Sequence, residues 1–465
     1  MVFGLFLKRF PFMPSAESAF EATVVAALAA RGPSTSAQLQ RLTGKSQPTL
    51  SRALRALGSQ VVTLGQGKAT RYAIPKAVRG LAAQHTLWWT DQRGVSAPWG
   101  LLTFLADNSL HVSAAGIDVI TRGCLPWFLS PLKLQGFLGR EWALRLGLER
   151  DPERWTLEQT LVAALGIDDP TGAISLGEPT GAPLPDAPAD LAARAVRYDA
   201  LSADVAATLP AGSSAGGEQA KFLTGLASGE RVLVKFSPPR GTSFGERWHD
   251  LLHAEALALQ VLGEHGVEVA QSRVIESATR TYLESVRFDR SGAQALGPHT
   301  LGPHARGRRH LVALDAIHAG FVEGSRQNWA ATCDALAVQR RLSPADARAV
   351  RALFDFGHLI GNTDMHFGNL SLWADDPASG RFALAPLHDM LPMRWRPDGF
   401  HGLQDYAPFE PQRRQGLPDD GGTSARSVAQ VFWQRAATHP PLSQPLRAVA
   451  AEMMRRLQAW RLSGV

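Results

Sequence analysis

Apolar residues recur at helical spacing near the start of the chain and then alternate in two short runs. The spacing predicts three helices, over residues 17–31, from Ser34 or Ser36 to Leu42, and from about Pro48 to Leu57. The two runs that follow, residues 61–64 and 70–74, predict strands joined by a hairpin at Gly65–Lys68. Three helices and a two-stranded hairpin are the components of a winged helix-turn-helix module.

The remainder of the chain mixes strand-like and helix-like patterns and predicts an α+β protein. Strands are predicted over residues 173–176, 231–236 and 281–290. Residues 123–140 concentrate large side chains around glycines, which indicates a core segment that packs two lobes together. Ser343 and Pro344 begin a helix whose apolar face continues to Ile360, and a last amphipathic helix spans about residues 446–460.

Positive charge is concentrated at one end of the chain. The net charge is +6 overall, but residues 1–80 sum to +9 and the remaining residues to −3. The positions expected to face DNA are Gln47, Thr49, Ser51, Arg52 and Arg55 on the third helix, and Lys68 and Arg71 on the hairpin. This pattern favours DNA binding over the alternative, a small basic domain used for protein contact or dimerisation.

Cysteine content and hydropathy exclude several classes of protein. Cys124 and Cys333 lie far apart without Cys or His neighbours at metal-binding spacing, which argues against a disulfide framework or a zinc site. No run approaches the roughly 18 apolar residues of a membrane helix. The first ten residues place their charges after the apolar residues, the wrong order for a signal peptide. We therefore expect a cytoplasmic protein, with Met1 or Met13 as its start.

The run from Gly361 to Asn369 holds an Asp and an Asn five positions apart. Asp364 and Asn369 match the D-x-x-x-x-N spacing of kinase catalytic loops, in which the carboxylate reaches the acceptor hydroxyl and the amide oxygen reaches Mg²⁺. This spacing occurs by chance in many proteins, so its meaning depends on other residues. Asp389, twenty residues beyond Asn369, is a candidate for the second metal ligand.

Three upstream features are suited to holding a triphosphate. Small residues over 212–221 would let backbone N–H groups approach phosphate oxygens, Lys235 ends a strand, and Glu255 lies on a helix from which it can pair with Lys235. Taken singly, each has an ordinary alternative: a flexible linker, a solvated lysine and a surface glutamate. Their order along the chain, followed by Asp364 and Asp389, is that of a kinase.

With these residues, the chain resembles the HipA-like serine/threonine kinases, the toxins of bacterial toxin–antitoxin systems. The matching segments are residues 134–140, 213–221, 234–236, 287–290, 361–369 and 387–389. A winged helix fused in front of them is most similar to the YjjJ-like subfamily. The resemblance implies a winged module over residues 1–80, an N-terminal kinase-like lobe over 81–290, and a mainly helical lobe over 291–465.

The resemblance also implies ATP and Mg²⁺ as cofactors and assigns roles to individual residues. These are Asp364 as catalytic base, His366 as a residue that shapes the catalytic loop, Asn369 and Asp389 as magnesium ligands, and Ser214, Ala215, Gly216, Gly217, Lys221, Lys235, Glu255, Val286, Arg287 and Phe288 around ATP. Ser214 falls on the family's autophosphorylated serine, with the adjacent Ser213 as the alternative. Val286 stands where a better-known toxin of the family has an acid, so adenine contact there would rely on the backbone.

The activity implied by the resemblance is an ATP-dependent protein serine/threonine kinase. The acceptor would be a protein, an aminoacyl-tRNA synthetase or another translation protein being one option, while residues 17–75 would bind DNA. No membrane partner is expected, and a homodimer is left open. The alternative is a DNA-binding transcriptional regulator with a kinase-like sensor body. A nuclease ranks lower, because no further clustered carboxylates support one.

Overall fold

The computed structural model describes residues 16–167, 169–179, 186–208, 219–294, 306–398, 402–411 and 422–459. The chain divides into two compact units, one formed by residues 1–86 and 99–125 and the other by residues 87–98 and 126–465. Among the described residues, no helix combines the length and the apolarity needed to span a membrane.

The first unit contains three helices followed by short antiparallel strands. Its elements in chain order are α1 (Ala16–Arg31), α2 (Ser36–Thr43), α3 (Gln47–Leu57), β1 (Val62–Leu64), β2 (Arg71–Ala73), β3 (Gln84–Thr90), β4 (Ser96–Phe104), β5 (Ser109–Ala114) and β6 (Ile117–Arg122), the division between units passing through β3 and β4. Val24, Leu28, Leu39 and Leu50 form the buried contacts between the three helices.

The start of α2 differs from the expected cap at Ser34 or Ser36. Thr35 caps this helix, because its hydroxyl accepts the Gln38 N–H while the Gln38 side chain accepts the Thr35 N–H, a capping box. Ser34 is instead buried and exchanges two backbone hydrogen bonds with Tyr72 of β2. This pairing attaches the two-stranded sheet to the helices.

The second unit contains a β-rich part followed by a helical part. Its elements are α4 (Gly136–Leu146), α5 (Leu157–Gly166), β7 (Ile174–Leu176), β8 (Asp186–Ala187), α6 (Leu191–Thr208), β9 (Lys221–Leu226), β10 (Arg231–Phe236), α7 (Ser243–Glu264), β11 (Ser272–Glu276), β12 (Thr281–Val286), β13 (Arg290–Gln294), β14 (Arg306–Arg308), β15 (Leu311–Ala313), α8 (Leu314–Phe321), α9 (Trp329–Val338), α10 (Pro344–Leu359), β16 (Ser371–Trp373), β17 (Ala383–Leu384), α11 (Gly422–Thr438) and α12 (Gln444–Ala459).

A five-stranded sheet in the order β11-β12-β10-β9-β8 positions the predicted lysine strand at its centre. The register places Lys235 of β10 between Lys221 of β9 and Leu283 of β12. Strand β8 is parallel to β9, and the other pairs are antiparallel. Because neighbouring strands share a pleat, Lys221 and Lys235 project from the same face of the sheet.

Helix α10 delivers the chain into residues 361–369, as its sequence predicts. Ser343 caps its start by accepting the Asp346 N–H at 3.0 Å. Gly357, near its end, has no room for a side chain, because a Cβ there would overlap the sulfur of Met365. Gly361 has a φ of +78°, which glycine adopts without steric cost. These two glycines allow the following loop to fold back closely against the helix.

The segment predicted to be a core element between lobes is buried in the second unit. Phe128, Leu129 and Leu132 lie within a short 3-10 helix over Trp127–Leu132. The fully buried His310 fixes this helix, since one ring nitrogen contacts the Phe128 carbonyl oxygen at 2.9 Å and the other accepts the Ala173 N–H at 3.3 Å. Burial lowers the pKa of His310 to about 4, so its imidazole is neutral at pH 7.

His310 is expected to make the protein sensitive to mild acid. Its folded pKa lies below the unfolded value of 6.5, so the unfolded chain takes up the proton first, and stability falls as pH drops from about 6.5 towards 4. This histidine alone should cost about 2 kcal/mol of unfolding free energy between pH 7.5 and 5.0. Urea unfolding followed by tryptophan fluorescence measures the difference. His310→Gln should be less stable at pH 7.5 but lose about 2 kcal/mol less on acidification; an equal loss in both proteins contradicts this assignment.

Candidate active site

The loop after α10 is organised by side chains of asparagine around the backbone of Asp364. The Asp364 N–H donates to Asn362 Oδ1 at 3.0 Å, and Asn369 Nδ2 donates to the Asp364 carbonyl at 2.8 Å. The Asp364 side chain keeps about a third of its surface exposed, and its nearest cation is Arg396 at 3.9 Å. The loop thus holds the Asp364 main chain rigidly and leaves the carboxylate accessible to another molecule.

His366 shapes this loop, because its ring bonds to the backbone of the loop through Nδ1. His366 Nδ1 accepts the Gly368 N–H at 3.0 Å and caps the short 3-10 turn Phe367–Asn369. The His366 carbonyl accepts the indole N–H of Trp329 at 2.9 Å, and Trp329 is fully buried. The loop is therefore anchored to the helical core through a large side chain with a fixed position.

Lys235 lies between two carboxylates that come from distant parts of the chain. Its ammonium donates to Glu255 Oε1 at 2.6 Å and to Glu255 Oε2 at 2.8 Å, and it also contacts Asp389 Oδ1. Lys235 and Glu255 are almost completely buried, whereas the Asp389 side chain remains 28% exposed. The pairing of Lys235 with Glu255 expected from the sequence is present, and Asp389 joins it.

The electrostatics of this cluster follow from its composition of one cation and two anions. Burial by itself lowers the pKa of Lys235, but Asp389 and Glu255 raise it above its ordinary value, so the ammonium stays charged. Burial tends to raise the pKa of Asp389, and the Lys235 ammonium outweighs it and holds this pKa low. Burial raises the pKa of Glu255, with the charge of Asp389 adding to the effect. Lys221, which lines the same cavities, also acts to lower the pKa of both carboxylates, so the two anions are faced by two lysines.

Asp389 occupies a left-handed backbone conformation, with a φ of +56°. Residues other than glycine adopt this conformation at a cost on the order of 1 kcal/mol or more, and such residues cluster at functional sites. Asn362 Nδ2 lies 3.5 Å from the Asp389 carbonyl oxygen and also 3.5 Å from the Met390 sulfur. The side chain of Asn362 therefore lies between the loop of Asp364 and the segment of Asp389.

Two neighbouring cavities meet at the Lys235 cluster. The larger, about 680 Å³, is lined by polar groups that include Asp364, Asn369, Arg326 and Arg396. The smaller, about 370 Å³, has a mainly apolar lining. Its apolar side chains include Leu134, Leu138, Leu233, Ala270, Val286, Phe288 and Leu311. Lys221, Lys235, Glu255 and Asp389 line both cavities, so an elongated ligand can extend from an apolar end past charged groups to Asp364.

Val286, Arg287 and Phe288, predicted to lie around ATP, line the apolar cavity, but the backbone N–H groups of the first two are used internally. The Val286 N–H donates to the Gln271 carbonyl at 2.8 Å, and the Arg287 N–H donates to the Arg231 carbonyl at 2.8 Å. The Arg287 guanidinium is buried and pairs with Asp169 at 2.7 Å and with Asp289 at 2.9 Å. Phe288 packs edge-on against Trp373 and near His388. Arg287 therefore supports the cavity wall, while Val286 and Phe288 supply apolar surface.

Not all of the predicted site residues fall within the described part of the chain. Ser213, Ser214, Ala215, Gly216 and Gly217 lie outside the described residues. Lys221, at the start of β9, lines both cavities. In the first unit, Arg52, Arg55, Lys68 and Arg71 are exposed, while Thr49 and Ser51 are half-buried.

Several residues of the site escaped the sequence interpretation. Asn362 positions Asp364, Arg396 faces its carboxylate, and Arg326 pairs with Asp315 at 2.5 Å in the wall of the larger cavity. Gln219 donates to the Phe236 carbonyl beside the same cavity. Asn362 could have been identified from the sequence, because it is a polar residue two positions before Asp364. The arginines could not, because they reach the site only when distant segments fold together.

Comparisons with known proteins match most of the chain to one family. The model of the HipA-like C-terminal domain matches residues 213–460, and the model of the YjjJ-like toxin middle domain matches residues 81–182. The protein named Toxin YjjJ, from Escherichia coli (strain K12), is 33% identical over 444 residues, covering 92% of this chain and 96% of that protein.

A solved structure shows the same fold. A chain from the Shewanella oneidensis MR-1 toxin–antitoxin complex of HipA, HipB and operator DNA aligns with a TM-score of 0.52 at 18% identity, covering 81% of this chain and 96% of that one. At this level of identity the likeness establishes the fold alone. Together with the matches in sequence, it shows that this chain belongs to the HipA-like family and is similar to its YjjJ-like toxins.

Proposed function

We propose that this protein is an ATP- and Mg²⁺-dependent protein serine/threonine kinase. The observation that carries the proposal is the Lys235 ammonium held by Glu255 and Asp389 beside the loop of Asp364 and Asn369. A lysine on a strand, a glutamate on the neighbouring helix and two oxygen ligands on separate loops are the parts that position a triphosphate in protein kinases.

The two cavities suggest how a nucleotide would lie. The apolar cavity, with Val286 and Phe288 in its lining, suits a purine ring. The shared region around Lys221 and Lys235 would take the phosphates, and the polar cavity would take the acceptor hydroxyl next to Asp364. Because the N–H groups of Val286 and Arg287 are already bonded, we infer that shape and apolar contact contribute more to adenine binding than these donors.

The residues present fit a magnesium ion in their chemistry. Asn369 uses its amide nitrogen for the Asp364 carbonyl, which leaves its amide oxygen as the group able to bind a cation. Asp389 adds a carboxylate whose low pKa keeps it ionised at neutral pH. Oxygen donors of this kind suit Mg²⁺, which would neutralise charge on the phosphates when bound. Asp364 would then orient the acceptor hydroxyl and accept its proton.

The loop of residues 213–217 is proposed to regulate this activity. It lies outside the described residues, and its small side chains and Ser214 support the proposal. A phosphate on Ser214 would add roughly −1.5 to −2 charges to the segment that must approach ATP. Repulsion would then disfavour ATP binding. From the family resemblance, we propose an aminoacyl-tRNA synthetase or another translation protein as the acceptor.

A second activity, DNA binding, is proposed for the first unit. Helices α1–α3 and the sheet β1–β2 have the order of a winged helix, and the exposed Arg52 and Arg55 lie one turn apart on α3. The related complex from Shewanella oneidensis contains operator DNA together with HipA and HipB. We propose that α3 enters the major groove and that Lys68 and Arg71 contact phosphates.

Asp364→Asn should abolish phosphoryl transfer while leaving the fold intact. Loss of the general base should lower the rate on the order of 10²- to 10⁴-fold. The thermal midpoint should not change, because the carboxylate is partly exposed and its ion-pair partner is 3.9 Å away. Transfer of label from ATP, followed by mass spectrometry for phosphate on Ser214 or Ser213, measures the activity. Asp375→Asn, which removes an exposed pair with Arg309, is the control. Equal labelling of the wild type and Asp364→Asn would overturn the assignment.

Two substitutions in the Lys235 cluster should separate stability from catalysis. Glu255→Gln removes one of two carboxylates around a single ammonium, so it should preserve the thermal midpoint and lower kcat at least tenfold. Lys235→Met leaves the buried Glu255 and the partly exposed Asp389 without their cation and should lower the unfolding free energy by about 3–5 kcal/mol. Kinase assays and thermal melts of both variants provide the measurement. A greater loss of stability in Glu255→Gln than in Lys235→Met would contradict this electrostatic account.

Arg52→Ala/Arg55→Ala should weaken binding to duplex DNA and preserve phosphoryl transfer. If each arginine neutralises one phosphate, the slope of log affinity against log salt should decrease by about 2. Fluorescence anisotropy with a labelled duplex at several salt concentrations measures the slope. The matched control is Arg31→Ala/Arg122→Ala, which removes the same charge from other exposed positions of the first unit. If the control loses as much affinity, the proposed α3 interface is wrong.

A further inference from the structure

Helix α7 carries a second polar cluster one turn before Glu255. His249 and His253 are four residues apart on this helix, which places them on one face, and their ring centres are 4.6 Å apart. Glu276 of β11 completes the group, since one ligand atom from each of the three residues lies within 4.8 Å of the others. These three residues are referred to below as the His-Glu cluster.

Hydrogen bonds fix the state of His249. One ring nitrogen, Nε2, lies 2.9 Å from the Pro441 carbonyl oxygen, which can only accept, so Nε2 must carry the hydrogen. The other nitrogen, Nδ1, lies 2.7 Å from the Thr281 hydroxyl and is the nitrogen that carries the lone pair whenever the ring binds a metal. Thr281 is the cross-strand partner of Glu276. His249 Nδ1 therefore contacts β12 at the residue that is paired with Glu276 of β11.

His253 and Glu276 share a contact in which a cation can replace a proton. His253 Nε2 lies 3.0 Å from Glu276 Oε1. Burial and the neighbouring His249 lower the pKa of His253 to about 4, so this ring is neutral at pH 7, and Nε2 can offer a lone pair to a cation once the ring hydrogen is carried on Nδ1. Arg240 binds the other carboxylate oxygen at 2.9 Å and orients it.

We propose that the His-Glu cluster binds one divalent transition-metal ion, with zinc as the best match. Two neutral imidazoles and a carboxylate are ligands of the kind zinc prefers, at about 2.0–2.2 Å from the metal. Tetrahedral ligand atoms are then about 3.4 Å apart, so the cluster needs to contract by little more than 1 Å. The hydrogen bond from His249 Nε2 to Pro441 would remain as the outer contact that holds the liganded ring in position.

Solvent reaches the His-Glu cluster, and a further candidate ligand lies near it. The two histidines are buried, but the Glu276 side chain is 40% exposed and opens the site to solvent. His439 lies beyond the end of α11, and its ring centre is 5.8 Å from that of His253. A change of its rotamer would bring a third imidazole to the metal. A metal at this point would connect α7, β11 and the segment between α11 and α12.

A metal bound to the His-Glu cluster would also affect the position of Glu255, a consequence that rests on the proposed kinase function. His253 precedes Glu255 by two residues on the same helix, so holding His253 limits the movement of the Lys235 partner. Bound metal would therefore favour the arrangement in which Lys235 and Glu255 are paired. The metal site itself does not depend on that activity, since none of its residues lines the two cavities.

Metal titration of untagged full-length protein tests the proposal. The chain is stripped with a chelator and dialysed, and Cys124→Ser is used as the background because this thiol is exposed and can bind metals itself. With excess Mg²⁺ present to compete for Asn369 and Asp389, cobalt titration monitored by visible absorption, and zinc content after gel filtration, should both give one equivalent per chain. Zinc should also raise the thermal midpoint.

Variants identify the ligands and keep the result independent of catalysis. His253→Gln and Glu276→Gln should each lower metal affinity on the order of 100-fold, whereas His265→Gln, at the end of the same helix, should not change it. Far-ultraviolet circular dichroism checks that each variant is folded. Asp364→Asn should bind metal normally even though it lacks kinase activity. Absence of saturable binding, or unchanged affinity in both His253→Gln and Glu276→Gln, would overturn the proposal.

Discussion

Both parts of the second unit converge at the site on the buried ammonium of Lys235. It extends from the central strand of the sheet and meets Glu255 from α7 and Asp389 from the segment after β17. A buried charge without a partner costs several kcal/mol, so each of these three residues limits where the other two can lie. The position of Asp389 relative to the sheet is therefore set by charge as well as by packing.

The backbone around this ion cluster adopts conformations that are unfavourable for most residues or that require glycine. Asp389 adopts a left-handed φ, and Gly357 and Gly361 allow the Asp364 loop to lie against α10. Asn362 contacts both the Asp364 backbone and the Asp389 carbonyl, so the two acidic segments share one amide side chain. In the proposed kinase, such an arrangement would hold the reacting groups in place before a substrate arrives, which is how most of the rate gain in phosphoryl transfer is obtained.

Much of this arrangement could be predicted from the sequence because it is encoded locally. Ser343 with Pro344 specifies the start of α10, the Asp364–Asn369 spacing specifies the loop, and the strand ending in Lys235 follows from β-branched alternation. Partners supplied by distant segments could not be predicted in this way. Arg287, expected beside ATP, instead forms an ion pair with Asp169, which lies 118 residues earlier in the chain. The cap of α2 was also assigned to the wrong residue, because Thr35 and Ser34 can each cap and tertiary pairing with Tyr72 decides between them.

Helix α7 explains why so many polar groups are buried near the site. Arg247 donates to the carbonyls of Trp395 and Gln404, and Asp250 accepts from Tyr406 and from Ser443, so this helix is tied to the helical part of the unit by directional bonds. Replacing such bonds by apolar contacts could maintain stability, but apolar contacts tolerate sliding and rotation. Because Glu255 lies on this helix, any shift of α7 moves the Lys235 partner. The hydrogen bonds of Arg247 and Asp250 therefore fix the position of Glu255 in the ion cluster. A ligand that binds α7 outside the cavities would change or stabilise the position of the same residue.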